Sequence, residues 1–214
     1  MASTADHVIA RKVFFERDRM DLPKVPACMA CNGEKSRLEN YFLAMVLAAS
    51  NHADSDAYRR DFVMPRLRKN RKFQHAINTA KPTVIQRDGR FQQVYAIHIE
   101  ADKTTRLMEM ISLGLYHHHA GQPLQDSYDA VARIFTPEGE TDFLAMTREE
   151  FPEDSPIVRG NLGDGAFAYE GIQHSELVGF SVWRMIWHGG IALAGDDGPP
   201  GGVNTWVVWT RPRD

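Results

Sequence analysis

The alternation of apolar and polar positions is most informative near the N-terminus. His7, Val8 and Ile9 open an apolar segment that reaches Val13, Phe14 and Phe15, with Arg11 and Lys12 between; this predicts a strand passing into a turn. Glu16 to Asp21 are almost all charged and predict a solvated loop. Pro23 and Pro26 fix φ and restrict their neighbours, so Leu22 to Ala27 is expected to be extended and to deliver Cys28. From Gly33 onward, Glu34, Lys35, Arg37, Leu38, Tyr41, Phe42, Met45, Val46 and Leu47 fall at helical spacing. They predict an amphipathic helix ending near Ser50-Asn51.

Further along, Asp54 to Asn70 predicts another helix, capped by Asp54 or Ser55 and interrupted at Pro65. Thr83 to Gln86 and Phe91 to Ile99 flank Asp88-Gly89, a hairpin signal for two antiparallel strands. Asp102 to Tyr116 carries an apolar face of Leu107, Met110, Ile111, Leu113 and Leu115 and predicts a buried helix, closed by Gly121 and Pro123. The remainder reads as β-rich, with strands expected at Val131 to Phe135, Ala166 to Tyr169, Val178 to Trp187 and Val203 to Thr210, separated by glycine clusters. Trp183, Trp187, Trp206 and Trp209 fall on the last two of these. Their spacings of three and four cannot all face one side of a flat strand, and core packing is their expected role. The class expected is α+β: a small N-terminal module over residues 1–52, then an α+β extension over 53–214 with a helical middle and a mostly antiparallel C-terminal sheet.

Composition narrows the class of protein. A chain of 214 residues with 43% hydrophobic residues can build an ordinary core. No apolar run approaches the roughly 20 residues that cross a bilayer, so no membrane partner is expected and a cytoplasmic location is the default. Two cysteines cannot form a disulfide framework, and as Cys28-x-x-Cys31 they suggest metal binding, redox chemistry or a reduced pair bracing the helix start. A net charge of -3 does not advertise a nucleic-acid binder. A local basic cluster does: Arg59, Arg60, Arg66, Arg68, Lys69, Arg71 and Lys72 face only Asp61 as an internal counter-charge, which fits either a phosphate-contacting surface or a solvated helix face.

Candidate chemistry gathers between Asp6 and Tyr41. Phosphodiester hydrolysis needs an activated water, a cation on the non-bridging oxygens and stabilisation of the leaving oxygen. His7 can take a proton from water near neutral pH, and the adjacent Asp6 is a hard oxygen ligand for Mg²⁺ or a similar ion. Neighbours on a strand point to opposite faces, so sharing one site requires the strand to end or twist there. Asn32, at a helix start, offers a second oxygen ligand.

With Asp6-His7, then VPACMACN (Val25 to Asn32), then Lys35, the chain resembles the HNH endonuclease family over about Asp6 to Tyr41. More loosely, Gly114 to Leu124 and Phe167 to Ile191 look like the C-terminal extension of bacterial HNH proteins. The resemblance implies a ββα-metal module that hydrolyses DNA. In it His7 is the general base, Asp6 and Asn32 hold a catalytic divalent ion, and Lys35 contacts phosphate or stays a helix-surface lysine. Asp21 stands where the family has an asparagine that orients the base; a carboxylate there is expected to hold the imidazole and raise its pKa. Zinc-containing members carry an earlier C-x-x-C, which here has no counterpart, so Cys28 and Cys31 form an incomplete Zn²⁺ pair. A start further upstream, a degenerate site, or completion by His117, His118 and His119 are the expected explanations. The alternative function is a non-catalytic nucleic-acid or protein-binding module on a degenerate HNH scaffold.

Overall fold

The computed structural model describes residues 4–48, 57, 60–61, 64–67, 71–79, 82–87, 90–95, 100–189 and 205–213. β1 (Thr4–His7) and β2 (Lys24–Ala27) form an antiparallel hairpin, and α1 (Met29–Ala48) follows directly. α2 (Met64–Leu67) and α3 (Arg71–Thr79) precede a second hairpin, β3 (Pro82–Arg87) with β4 (Arg90–Tyr95). Then come α4 (Ala101–Ala120), β5 (Tyr128–Phe135), α5 (Pro137–Arg148), β6 (Ile157–Leu162), β7 (Phe167–Gln173), β8 (Ser181–Trp187) and β9 (Thr205–Pro212). The last five strands make one antiparallel sheet in the order β5-β9-β8-β7-β6, and the class is α+β.

The first apolar segment departs from its expected form. β1 ends at His7, where a strand was expected to begin, because the chain folds into a 3₁₀ turn at Arg11–Val13 in which Val13 N–H donates to the Ala10 carbonyl at 2.9 Å. Val8, Ile9, Val13 and Phe14 therefore plug the core instead of alternating across a sheet. α1 begins four residues earlier than the periodicity indicates. Cys28 stands just before it, and its Sγ accepts the Cys31 N–H at 3.2 Å in the manner of an N-cap.

Both faces of the five-stranded sheet are covered, which settles the tryptophans. Trp183 and Trp187, four apart on β8, share the face packed by α4 and α1; Trp187 meets Phe42 edge-on at 5.0 Å. Trp206 and Trp209, three apart on β9, face opposite sides, and Trp209 packs on Phe143 of α5 at 5.1 Å. One continuous cluster joins Val8, Phe14 and Leu43 of the N-terminal segment to Leu107, Ile111 and Leu115 of α4 and to Phe167 and Trp183 of the sheet. The two segments expected at 1–52 and 53–214 thus share a core. The helix expected over Asp54 to Asn70 lies largely outside the described residues. Among the described residues, no helix is long and apolar enough to cross a membrane.

Candidate functional site

The β1–β2 register sets what each face of the hairpin carries. His7 pairs with Lys24 and Asp6 pairs with Val25, so His7 and Lys24 emerge together on one face and Asp6 on the other. β1 remains extended through both residues, and the twist that would let Asp6 and His7 share a site does not occur.

His7 lines an open cleft of about 510 Å³. Lys24 stands beside it, Arg11 and Arg19 come from the loop between the strands, and Asp21 comes from the approach to β2. Asp21 holds a left-handed backbone, φ 56°, a conformation that aspartate tolerates better than most residues. Leu22 and Pro23 also line the cleft. Arg19 is anchored: its Nε donates to the carbonyls of Arg11 and Phe14 at 3.0 and 3.1 Å. The remaining wall is His118, from the last turn of α4. Three permanent cations thus surround one carboxylate and two imidazoles, which favours an anionic occupant.

The imidazole of His7 is pushed below its ordinary pKa by burial first, then by the charges of Lys24 and Arg11; Asp6 opposes them. This reverses the expectation that Asp21 would raise it. Asp21 shares the cleft, but the charges that act on His7 are mainly cationic. A neutral imidazole near pH 7 is the form that can accept a proton.

On the other face of β1 the polar groups are already paired. Lys35 is 5% exposed, and its Nζ lies 2.6 Å from the His7 carbonyl oxygen, 2.6 Å from Glu39 Oε1 and 3.0 Å from Asp6 Oδ2. Three oxygens face the three N–H groups of one ammonium. Lys35 is therefore neither a helix-surface side chain nor directed at the cleft. Burial raises the Glu39 carboxyl pKa despite the neighbouring ammonium. Glu39 was not singled out in the sequence; its i,i+4 spacing from Lys35 was the available signal.

The residues expected to hold a divalent ion do not converge. Asp6 is held by Lys35, and the Asn32 amide nitrogen lies 3.5 Å from Thr4 Oγ1. Among the described residues, no group of three or more His, Cys, Asp and Glu side chains could hold a metal. A resident Mg²⁺ on Asp6 and Asn32 does not fit this arrangement. Cys28 and Cys31 have their sulfurs 2.8 Å apart at the surface. The Cys28 thiol is lowered by the hydrogen bond with Cys31 and by backbone N–H groups, and the Cys31 thiol is raised by the same pairing. The three histidines have different surroundings: the His117 carbonyl accepts the Gly121 N–H at 2.9 Å, His118 lines the cleft with its ring 4.9 Å from that of His119, and His119 meets the Tyr169 hydroxyl at 3.0 Å.

Of the basic cluster, Arg60 and Arg71 are exposed, and Arg60 pairs with Asp61 at 2.9 Å. Arg66 lies on α2 and Lys72 on α3. Arg59, Arg68 and Lys69 lie outside the described residues. No family model, curated protein or solved structure matches the chain.

Proposed function

We propose that the chain is an HNH-like endonuclease that hydrolyses DNA phosphodiester bonds in the cleft beside His7. The observation that carries the reading is His7 itself: a histidine kept neutral at the end of a hairpin strand, facing three fixed cations. In this reading the His7 imidazole takes a proton from the attacking water. Arg11, Arg19 and Lys24 neutralise the non-bridging oxygens, a role in which guanidinium and ammonium groups serve without further proton transfer. The cleft volume suits a short stretch of nucleic-acid backbone rather than a duplex. Arg60 and Arg71 add exposed positive charge for a longer strand, and a cytoplasmic location belongs to the same reading.

Plasmid nicking by the parent and by His7→Ala, each with Mg²⁺, with Mn²⁺ and with EDTA, tests this. Nicking by the parent that is lost in His7→Ala is expected; equal rates remove His7 from the reaction.

A second reading has its own support. The pairing of Asp6 with Lys35 suits a module that binds nucleic acid without cutting it. Salt-dependent DNA binding by a parent that never nicks selects this reading.

A further inference from the structure

We infer that the oxygen cage formed by Asp6, Glu39 and the His7 carbonyl is a cation site whose cation is the chain's own Lys35 ammonium, standing where a divalent ion was expected. Its bearing on catalysis rests on the endonuclease reading above, whereas the cage itself stands on three distances. The Lys35 nitrogen is within 2.6 to 3.0 Å of one oxygen from each of three residues on two elements, β1 and α1. Both carboxylates are largely shielded, with side-chain exposures of 17% for Asp6 and 15% for Glu39. Two shielded carboxylates and a carbonyl are hard oxygen donors, the set that Mg²⁺, Mn²⁺ and Ca²⁺ prefer.

Lys35 keeps such ions out for two reasons. Its ammonium is tethered one turn of α1 from Glu39, so a free ion competes with a cation that is always present. An entering ion would also have to leave that ammonium without its partners in a shielded position, which is costly. Geometry adds a third obstacle for the smallest ion: Mg²⁺ demands oxygens at about 2.0–2.1 Å, well inside the present cage, while Ca²⁺ accepts about 2.3–2.6 Å. The same ammonium binds the carbonyl of the residue that faces the cleft. The chain accordingly needs no divalent ion on Asp6 to hold that strand end in place.

The test removes the tethered cation and offers a free one. Mn²⁺ binding, read from the loss of the free-ion paramagnetic resonance signal, is measured for the parent, Asp6→Asn, Lys35→Ala, Lys35→Met and Lys35→Met/Asp6→Asn. The methionine variant keeps the apolar stem that fills the helix–hairpin space. Both Lys35 single variants are expected to take up one equivalent of Mn²⁺ that the parent does not, with uptake lost again in the double variant. Thermal melting gives a second readout that survives poor folding, because Mn²⁺ should raise the midpoint of Lys35→Met and leave the parent unchanged. One equivalent of Mn²⁺ taken up by the parent and lost in Asp6→Asn overturns the inference, as does a folded Lys35→Met that ignores Mn²⁺ in both readouts. A parent that nicks no DNA under any condition sinks the endonuclease reading, and the Mn²⁺ result still decides the cage.

Discussion

At the scale of single residues, the decisive pair is Asp6 and His7. Adjacent on an extended strand, they are sent to opposite sides, one to a buried ammonium and the other to an open cationic cleft. Removing Lys35 should therefore cost far more than removing an exposed lysine. Lys35→Ala leaves two shielded carboxylates without their partner, and a loss of about 3–5 kcal/mol is expected in urea melts, against under about 1 kcal/mol for a surface ion pair such as Lys103–Glu100. The cysteines make a separate prediction. With the Cys28 thiol pKa lowered and the Cys31 thiol pKa raised, iodoacetamide near neutral pH should label Cys28 first, as peptide mass mapping would report; faster labelling of Cys31 contradicts this ordering. Sequence made this much visible: residue types able to do phosphodiester chemistry, near one another in the chain. It did not reveal which face each would take. That followed from β1 staying extended through His7, which depends on pairing with Lys24 seventeen positions along.

At the scale of elements, the sheet carries its own constraints. Gly160 lies opposite Tyr169, and Gly171 lies opposite Trp183; a Cβ at either glycine would enter the facing ring. Gly171→Ala is expected to destabilise by about 1–3 kcal/mol through overpacking against a fully buried tryptophan, and an unchanged urea midpoint would show that the ring can move aside. Most strands were legible because apolar residues recur there between glycine turns. β6 and α5 were missed for different reasons. β6 is an edge strand with the sequence IVRGNL, too polar to stand out by alternation. α5 had a readable start: Thr136 accepts the Gly139 N–H, Pro137 follows, and Glu140 lies four residues on, but the region's β-rich surroundings masked these signals. Glu140 then reaches across to Arg184 of β8 and ties the helix to the sheet.

At the scale of the whole molecule, the cleft exists because the N-terminal hairpin loop and the end of α4 sit on one core. Val8 packs against Gly114, whose missing Cβ leaves room for it. His118 reaches the cleft through this packing, so its place beside His7 was invisible to motif reading; a triple histidine at a helix end pointed to capped carbonyls or solvent more than to the cysteines. Two global consequences follow. Removing two cleft cations in Arg11→Gln/Lys24→Gln should lower the salt dependence of DNA binding by about 2 in the slope of log K against log salt, while a wild-type slope would place the nucleic acid elsewhere. Stability should also depend on acid. His7 and His119 both have depressed pKa values in the folded state, burial being the first cause of each, so their neutral forms stabilise the fold fully above the unfolded value near ~6.5. That contribution is lost as pH falls through the folded values, and urea midpoints from pH 7 downward will display the decline; a flat profile would contradict it.

The most direct test of the endonuclease account is the pH dependence of single-turnover plasmid nicking by the parent and by His7→Ala. The parent rate should hold down to below about pH 6.5 and then fall as the imidazole protonates, and the variant should be slower by about 100-fold or more with that limb removed. A variant that nicks at the parent's rate with the same acid limb would contradict the role of His7 and leave the cleft a binding surface.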